Sequence, residues 1–240
     1  LGKMNAIVQS HPQNAKMLDI ASSEGSLGKT ITEASGGRIQ TTNLDPQEQM
    51  IKTFNTKSQV PGAESISAAF GTSFEDEKGQ TVPKFAPSHS YDVVHESMAF
   101  QFFGPEREEH IVEAKRLLAP DGIFLSEEKV RTDNETENET QKDVWKAQYH
   151  TPEALQRKQK QVGFQGENTG GGGMMDKMVH QDILESLLKK YFKYVVQYWS
   201  SGNFKGYAAS DSKDKIDAYI NNYEFEPHDF ETEQIPRSID

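Results

Sequence analysis

No cysteine occurs in the 240 residues, which excludes disulfides, zinc–thiolate sites and a cysteine nucleophile. A reducing compartment fits that lack, and a cytoplasmic location is expected. Positive charge is scarce: 26 Lys and Arg stand against 37 Asp and Glu, for a formal net charge of -11 and a pI near 5.2. Such a chain repels a phosphate backbone at long range. Nucleic acid is therefore not an expected partner; small molecules, cationic groups and other proteins are. Apolar residues make up only 34% and mean hydropathy is -0.76, so the core must be concentrated in a few segments. No run comes near the roughly 18 apolar residues of a membrane span, and no secretory leader is visible. Asn134-Glu-Thr and Asn138-Glu-Thr match glycosylation sequons, but they lie in an acidic, polar stretch and read as chance matches.

The apolar segments alternate between strand and helix patterns. Residues 16–20, 38–44, 65–70, 91–95 and 123–130 read as strands. Helices are predicted from Gly25 to Ala34, from Pro46 to Phe54 with Pro near the first turn, and from Pro105 to Leu118. Thr151 opens a further helix over 151–162, and 182–192 is amphipathic, with Ile183, Leu184, Leu187 and Leu188 on one face. Tyr194–Trp199 and Phe204–Ala209 flank Ser200-Ser201-Gly202-Asn203 and read as a hairpin. Pro120-Asp121-Gly122 reads as a turn. Alternation predicts a parallel sheet with helices on both faces, and the hairpin makes it mixed. The expected architecture is an α/β, Rossmann-like fold with a mostly parallel, seven-stranded sheet. One domain is expected over 1–210, with a variable substrate or lid insertion at 131–178. Residues 211–240 form an acidic C-terminal extension with a short helix at 213–222.

Asp19-Ile20-Ala21-Ser22-Ser23-Glu24-Gly25 follows the first strand directly. A chain that turns sharply and lets a ligand approach its backbone needs small residues there. The helix start beyond it presents N–H groups to the ligand. Asp45 ends the second strand, near the roughly 20-residue interval at which such an acid reaches ribose hydroxyls, and a carboxylate accepts two hydroxyl donors well.

Residues 19–25 resemble the glycine loop of the class I S-adenosylmethionine (SAM)-dependent methyltransferases, Asp/Glu-x-Gly-x-Gly-x-Gly, with Ala21 and Ser23 in place of the first two glycines and Gly25 as the third. Leu44-Asp45 resembles the family's ribose-binding acid. Gly71-Thr72-Ser73 falls where the family has Gly-Asp and an apolar residue beside adenine, with Thr72 in place of the acid. Tyr91-Asp-Val-Val-His95 resembles the fourth strand, and Leu117-Leu-Ala-Pro-Asp-Gly122 the segment usually written Leu-Lys-Pro-Gly-Gly. The resemblance spans about 14–210. It implies SAM as cofactor, with Asp19, Ala21, Ser22, Ser23, Gly25, Asp45, Thr72, Ser73 and Ser97 around it. Phe100-Gln-Phe-Phe103 and Ser126-Glu-Glu-Lys129 are similar to segments of the carboxy-SAM synthase branch, which implies an anion-binding role for Arg157.

Methyl transfer from SAM is displacement at a sulfonium methyl, so the protein mainly holds nucleophile and methyl in line. A base is needed only where the nucleophile must lose a proton. His95 and Glu96, just after the fourth strand, are the candidate catalytic residues; Tyr149, His150 and Arg157 are candidate substrate contacts. Each also has a plain reading as a strand-end, packing or surface residue. Glu127 and Glu128 are edge acids or site residues, and Phe100, Phe102 and Phe103 read as core or pocket wall. Gly170–Gly173 is a linker or a lid hinge. The leading function is methyl transfer from SAM to a small molecule. The alternatives are a SAM-modifying, carboxy-SAM synthase-like transferase and a SAM-fold binding module without activity.

Overall fold

In the computed structural model, the described residues are 2–56, 59–68, 70, 86–100, 106–131, 151–154, 178–224 and 235–240. Helix α1 (Gly2–Ser10) leads into β1 (Ala15–Ile20), followed by α2 (Ser26–Ala34), β2 (Ile39–Asp45), α3 (Glu48–Thr56) and β3 (Ala63–Ser67). Next come β4 (Tyr91–Ser97), α4 (Glu108–Leu117), β5 (Leu118–Lys129) and α5 (Gln181–Tyr191). The chain then forms β6 (Tyr194–Ser201), β7 (Phe204–Ser210), α6 (Lys213–Asn221) and β8 (Arg237–Ser238). The sheet order is β3-β2-β1-β4-β5-β7-β6-β8. β1 to β5 are parallel, and β7, β6 and β8 are antiparallel to their neighbours.

The α/β, mostly parallel architecture is as expected, but among the described residues the sheet has eight strands, not seven. The additional strand, β8, is two residues long and exists by pairing Val196 and Gln197 of β6 with Ser238 and Arg237. So short a strand has no pattern of its own. Along β5, Leu118 lies opposite Tyr91 and Ile123 opposite Val93, so the Pro120-Asp121-Gly122 turn is a bulge inside the strand, not a boundary before it. α1 was not anticipated: its polar composition carries only a weak apolar stripe, Ala6, Ile7 and Val8.

Period-two alternation sorts the strand side chains onto two faces. Leu18, Ile20, Leu44, Val94 and Phe124 point to one face, packed with Ile111, Ala114 and Leu117 of α4 and with Leu184 and Leu188 of α5. Phe100 belongs to this core and stacks on Phe70 and Phe124. Ile183, expected on the buried face of α5, is 49% exposed. Met17, Val93, Ile123 and Leu125 point to the other face, under Ile7 of α1, Ile31 of α2 and Ile216 and Tyr219 of α6. Where the strands end, this alternation sends Asp19, His95 and Glu127 toward α1, and Glu96, Ser126 and Glu128 toward α4.

Candidate functional site

The loop after β1 is built on left-handed backbone. Ala21 has φ 50, Ser23 φ 53 and Gly25 φ 66. Ala and Ser thus keep a conformation that favours glycine, at a cost of about 1–2 kcal/mol per residue. The loop is tied to β2: Ser22 N donates to Leu44 O at 3.0 Å, and Ser23 N donates to Asp45 Oδ2 at 2.9 Å. Asp45 Oδ1 accepts Gln47 N at 2.9 Å. Each oxygen of this buried carboxylate therefore takes one backbone N–H and keeps a lone-pair direction for a hydroxyl. Gly25 and Gly28 allow α2 to pack on β2 and α3: a Cβ on Gly25 would lie 2.3 Å from Phe54 Cδ2, and one on Gly28 2.3 Å from Asn43 Oδ1. Ser22 Oγ is buried without a hydrogen-bond partner among the described residues. A loop of small side chains with an orphaned hydroxyl, an acid at the end of β2 and a helix start fits an adenosyl sulfonium cofactor.

Toward α1, a polar chain crosses the ends of β1, β4 and β5. Asp19 Oδ1 lies 2.6 Å from His95 Nδ1, both nearly fully buried. Lys3 Nζ is 3.0 Å from His95 Nε2 and 2.7 Å from Glu127 Oε2. Ser97 Oγ donates to the same Glu127 oxygen at 2.7 Å, and Tyr198 OH donates to Oε1 at 3.1 Å. Burial pushes the Glu127 carboxyl up, but Lys3 and His95 hold it below its ordinary range.

Toward α4, Glu96 is fully buried. Its Oε1 accepts Ser126 Oγ at 2.5 Å and its Oε2 accepts Ala99 N at 3.1 Å. These bonds hold a turn in which Met98 has φ 55 and Met98 N donates to Glu127 O at 2.7 Å. Burial, then the nearby Glu128, pushes the Glu96 carboxyl well above its ordinary value. Burial also raises Glu128, against the opposing pull of Arg107, whose Nε lies 2.6 Å from Glu128 Oε1. Arg107 and Glu128 are both fully buried.

The sign of the Glu96 effect is fixed by that direction. A raised carboxyl binds its proton more tightly in the folded chain, so its contribution to stability is complete below the unfolded pKa and is lost as pH rises toward the folded one. Glu96→Gln, which mimics the protonated acid, should therefore gain stability relative to the parent as pH goes from 5 to 9. Urea midpoints at several pH values read this directly; parallel curves would mean that Glu96 is ionised throughout.

Of the residues expected at the site, Asp19, Ala21, Ser22, Ser23, Gly25 and Asp45 form one continuous edge with His95, Glu96 and Ser97. His95 and Glu96, adjacent in sequence, face opposite sides of the sheet, and only Ser97 of the three is exposed. Thr72, Ser73, Tyr149, His150, Arg157 and Gly170–Gly173 lie outside the described residues. Lys3 and Tyr198 carry no local signal in the sequence, since Lys3 meets partners 92 and 124 residues away and Tyr198 one 71 residues away. Among the described residues no group of acids and histidines could hold a metal ion, and no helix is long and apolar enough to cross a membrane.

Residues 18–126 match the family described as a methyltransferase domain. The fold is shared with a SAM-dependent methyltransferase from Aquifex aeolicus, at 11% identity and TM-score 0.53, over 85% of this chain and 86% of that one. It is also shared with a TehB-like SAM-dependent methyltransferase from Corynebacterium glutamicum, at 11% identity and TM-score 0.54, over 88% of each chain. Neither is described as a carboxy-SAM synthase. Comparison with curated protein sequences gives no significant match.

Proposed function

We propose that this chain, which matches a methyltransferase-domain family over residues 18–126 and shares its fold with SAM-dependent methyltransferases, is itself a class I SAM-dependent methyltransferase that transfers the methyl group to a small-molecule acceptor entering over the ends of β4 and β5. The observation that carries this reading is the Asp45 carboxylate, buried, bonded to Ser23 N and Gln47 N, and still able to accept two hydroxyls. SAM supplies a methyl on a positive sulfur, which is its own good leaving group.

The residues of this chain bind and orient. Asp45 takes the ribose hydroxyls, and the 21–25 loop with Ser22 Oγ takes the polar end of the cofactor. The sequence resemblance assigns Thr72 and Ser73 to adenine and Ser97 to the cofactor, and Tyr149, His150 and Arg157 are kept as candidate acceptor contacts. His95 is the base. A carboxylate on Nδ1 makes Nε2, which faces Lys3 Nζ, the proton-accepting nitrogen and stabilises the imidazolium that results. Glu96, with no exposed surface, acts by holding the 96–99 turn.

Calorimetric titration of SAM and S-adenosylhomocysteine into cofactor-stripped protein tests the reading, and micromolar binding of both is the expected result. A folded protein that binds neither would leave a SAM-fold module without a cofactor. Asp45→Ala should weaken binding by about 1–3 kcal/mol, the worth of charge-assisted hydroxyl hydrogen bonds. Unchanged affinity in that variant removes the ribose assignment.

A further inference from the structure

Lys3 sets a primary ammonium against a carboxylate and an imidazole nitrogen, at the sheet edge where an acceptor enters. We propose that Lys3 occupies the acceptor's place, and that the acceptor is an amine, held as its ammonium by Glu127 and deprotonated by His95. This rests on the methyl-transfer reading above and specifies its substrate class.

Three features select an ammonium. First, Glu127 is a mostly buried carboxylate whose other bonds come from Ser97 and Tyr198 hydroxyls; among the described residues only Lys3 brings full positive charge to it by direct contact. A buried charge is costly without an opposite one, so whatever displaces Lys3 must itself be a cation. Second, Asp19 accepts at His95 Nδ1, which places the imidazole N–H there and leaves Nε2 as an acceptor, 3.0 Å from Lys3 Nζ. The group held by Glu127 therefore points a proton at the base. Third, Tyr198, whose hydroxyl bonds Glu127, packs with the rings of Tyr219 and Tyr223, with centroids 4.9–6.0 Å apart, so the carboxylate has an aromatic neighbour that favours a cation. Lys3 is 20% exposed in its side chain, so the place it fills opens to solvent. A net charge of -11 draws cations toward it.

The chemistry balances. An ammonium in Lys3's place gives one proton to His95 Nε2. The freed nitrogen lone pair forms the C–N bond to the methyl carbon, the C–S bond breaks, and its electron pair stays on sulfur in S-adenosylhomocysteine. The product is again an ammonium, and His95 releases its proton to solvent, one per turnover.

Lys3→Ala empties the place, and butylammonium is the probe, with 1-butanol as its neutral analogue. By calorimetry, Lys3→Ala should bind butylammonium about tenfold or more tighter than it binds 1-butanol, and tighter than the parent does by a similar factor. Adding Glu127→Gln should remove that preference. With SAM, Lys3→Ala should form N-methylbutylamine, detected by mass spectrometry, and Lys3→Ala with His95→Asn should form it about 100-fold more slowly or less. If Lys3→Ala does not fold, Lys3→Ser, whose hydroxyl can bond Glu127, carries the same titration. Equal binding of the two probes, or no gain over the parent, overturns the proposal. S-adenosylhomocysteine titrated into the same samples separates the two readings. Its binding without ammonium preference removes the amine and leaves methyl transfer; ammonium preference without its binding removes methyl transfer, and the acceptor assignment with it.

Discussion

Arg107→Met is expected to cost about 3–5 kcal/mol of stability at pH 7, because it leaves a buried carboxylate without its cation. Arg107 bonds Glu128 through Nε at 2.6 Å, and both side chains are excluded from solvent. Glu96 lies close enough to feel the Glu128 charge. The loss should shrink at pH 5, where Glu128 can take a proton instead of holding an unpaired charge. Adding Glu128→Met should restore most of the stability, since an apolar pair of similar volume replaces a buried ion pair at little net cost. Urea unfolding of the two single variants and the double, at both pH values, closes this cycle. A loss under about 1 kcal/mol in Arg107→Met would mean that other cations neutralise the pair.

Gly25→Ala should lower stability by about 2–5 kcal/mol, from two separable sources. The left-handed backbone at φ 66 accounts for about 1–2 kcal/mol. The added methyl meets the Phe54 ring at 2.3 and 2.5 Å, and overpacking of this kind costs about 1–3 kcal/mol. Phe54 has little room to move: Lys29 Nζ sits 3.8 Å from its ring centroid and donates to its carbonyl at 2.6 Å. Gly36→Ala separates the two sources, because Gly36 has φ 63 and nothing within 4 Å of a Cβ. It should show the backbone cost alone. Equal losses in the two variants, by chemical denaturation, would mean that Phe54 yields freely.

β1, β2, β4 and the β6–β7 hairpin are legible in the chain because each is a short run with turn residues at its ends, and the alternation between strand and helix fixes the class. β3 is displaced to 63–67 from the 65–70 expected: Phe70 lies beyond its end, packed in the core, and is apolar for tertiary reasons. The proposed cofactor half of the site has local needs, small residues after a strand and an acid after the next, so its candidates can be picked from sequence. The proposed acceptor half has none. Asp19, His95, Glu127 and Lys3 are brought together by strand register and by the packing of α1, and register pairs Asp19 with His95 only once β1 and β4 lie side by side. Adjacency in sequence even misleads here, since His95 and Glu96 go to opposite faces and different partners.

Ala21 and Ser23 in left-handed backbone bear on the entropy of binding as well as on the energy of folding. Glycines at these positions would let the loop sample many shapes when empty, and each would lose that freedom on capture of a ligand. Ala and Ser have fewer shapes to give up, and the bonds from Ser22 and Ser23 to β2 hold the loop before anything arrives. The loop is a preset mould: the strain is borne once, at folding, and a ligand bound there as proposed would have less loop freedom to remove.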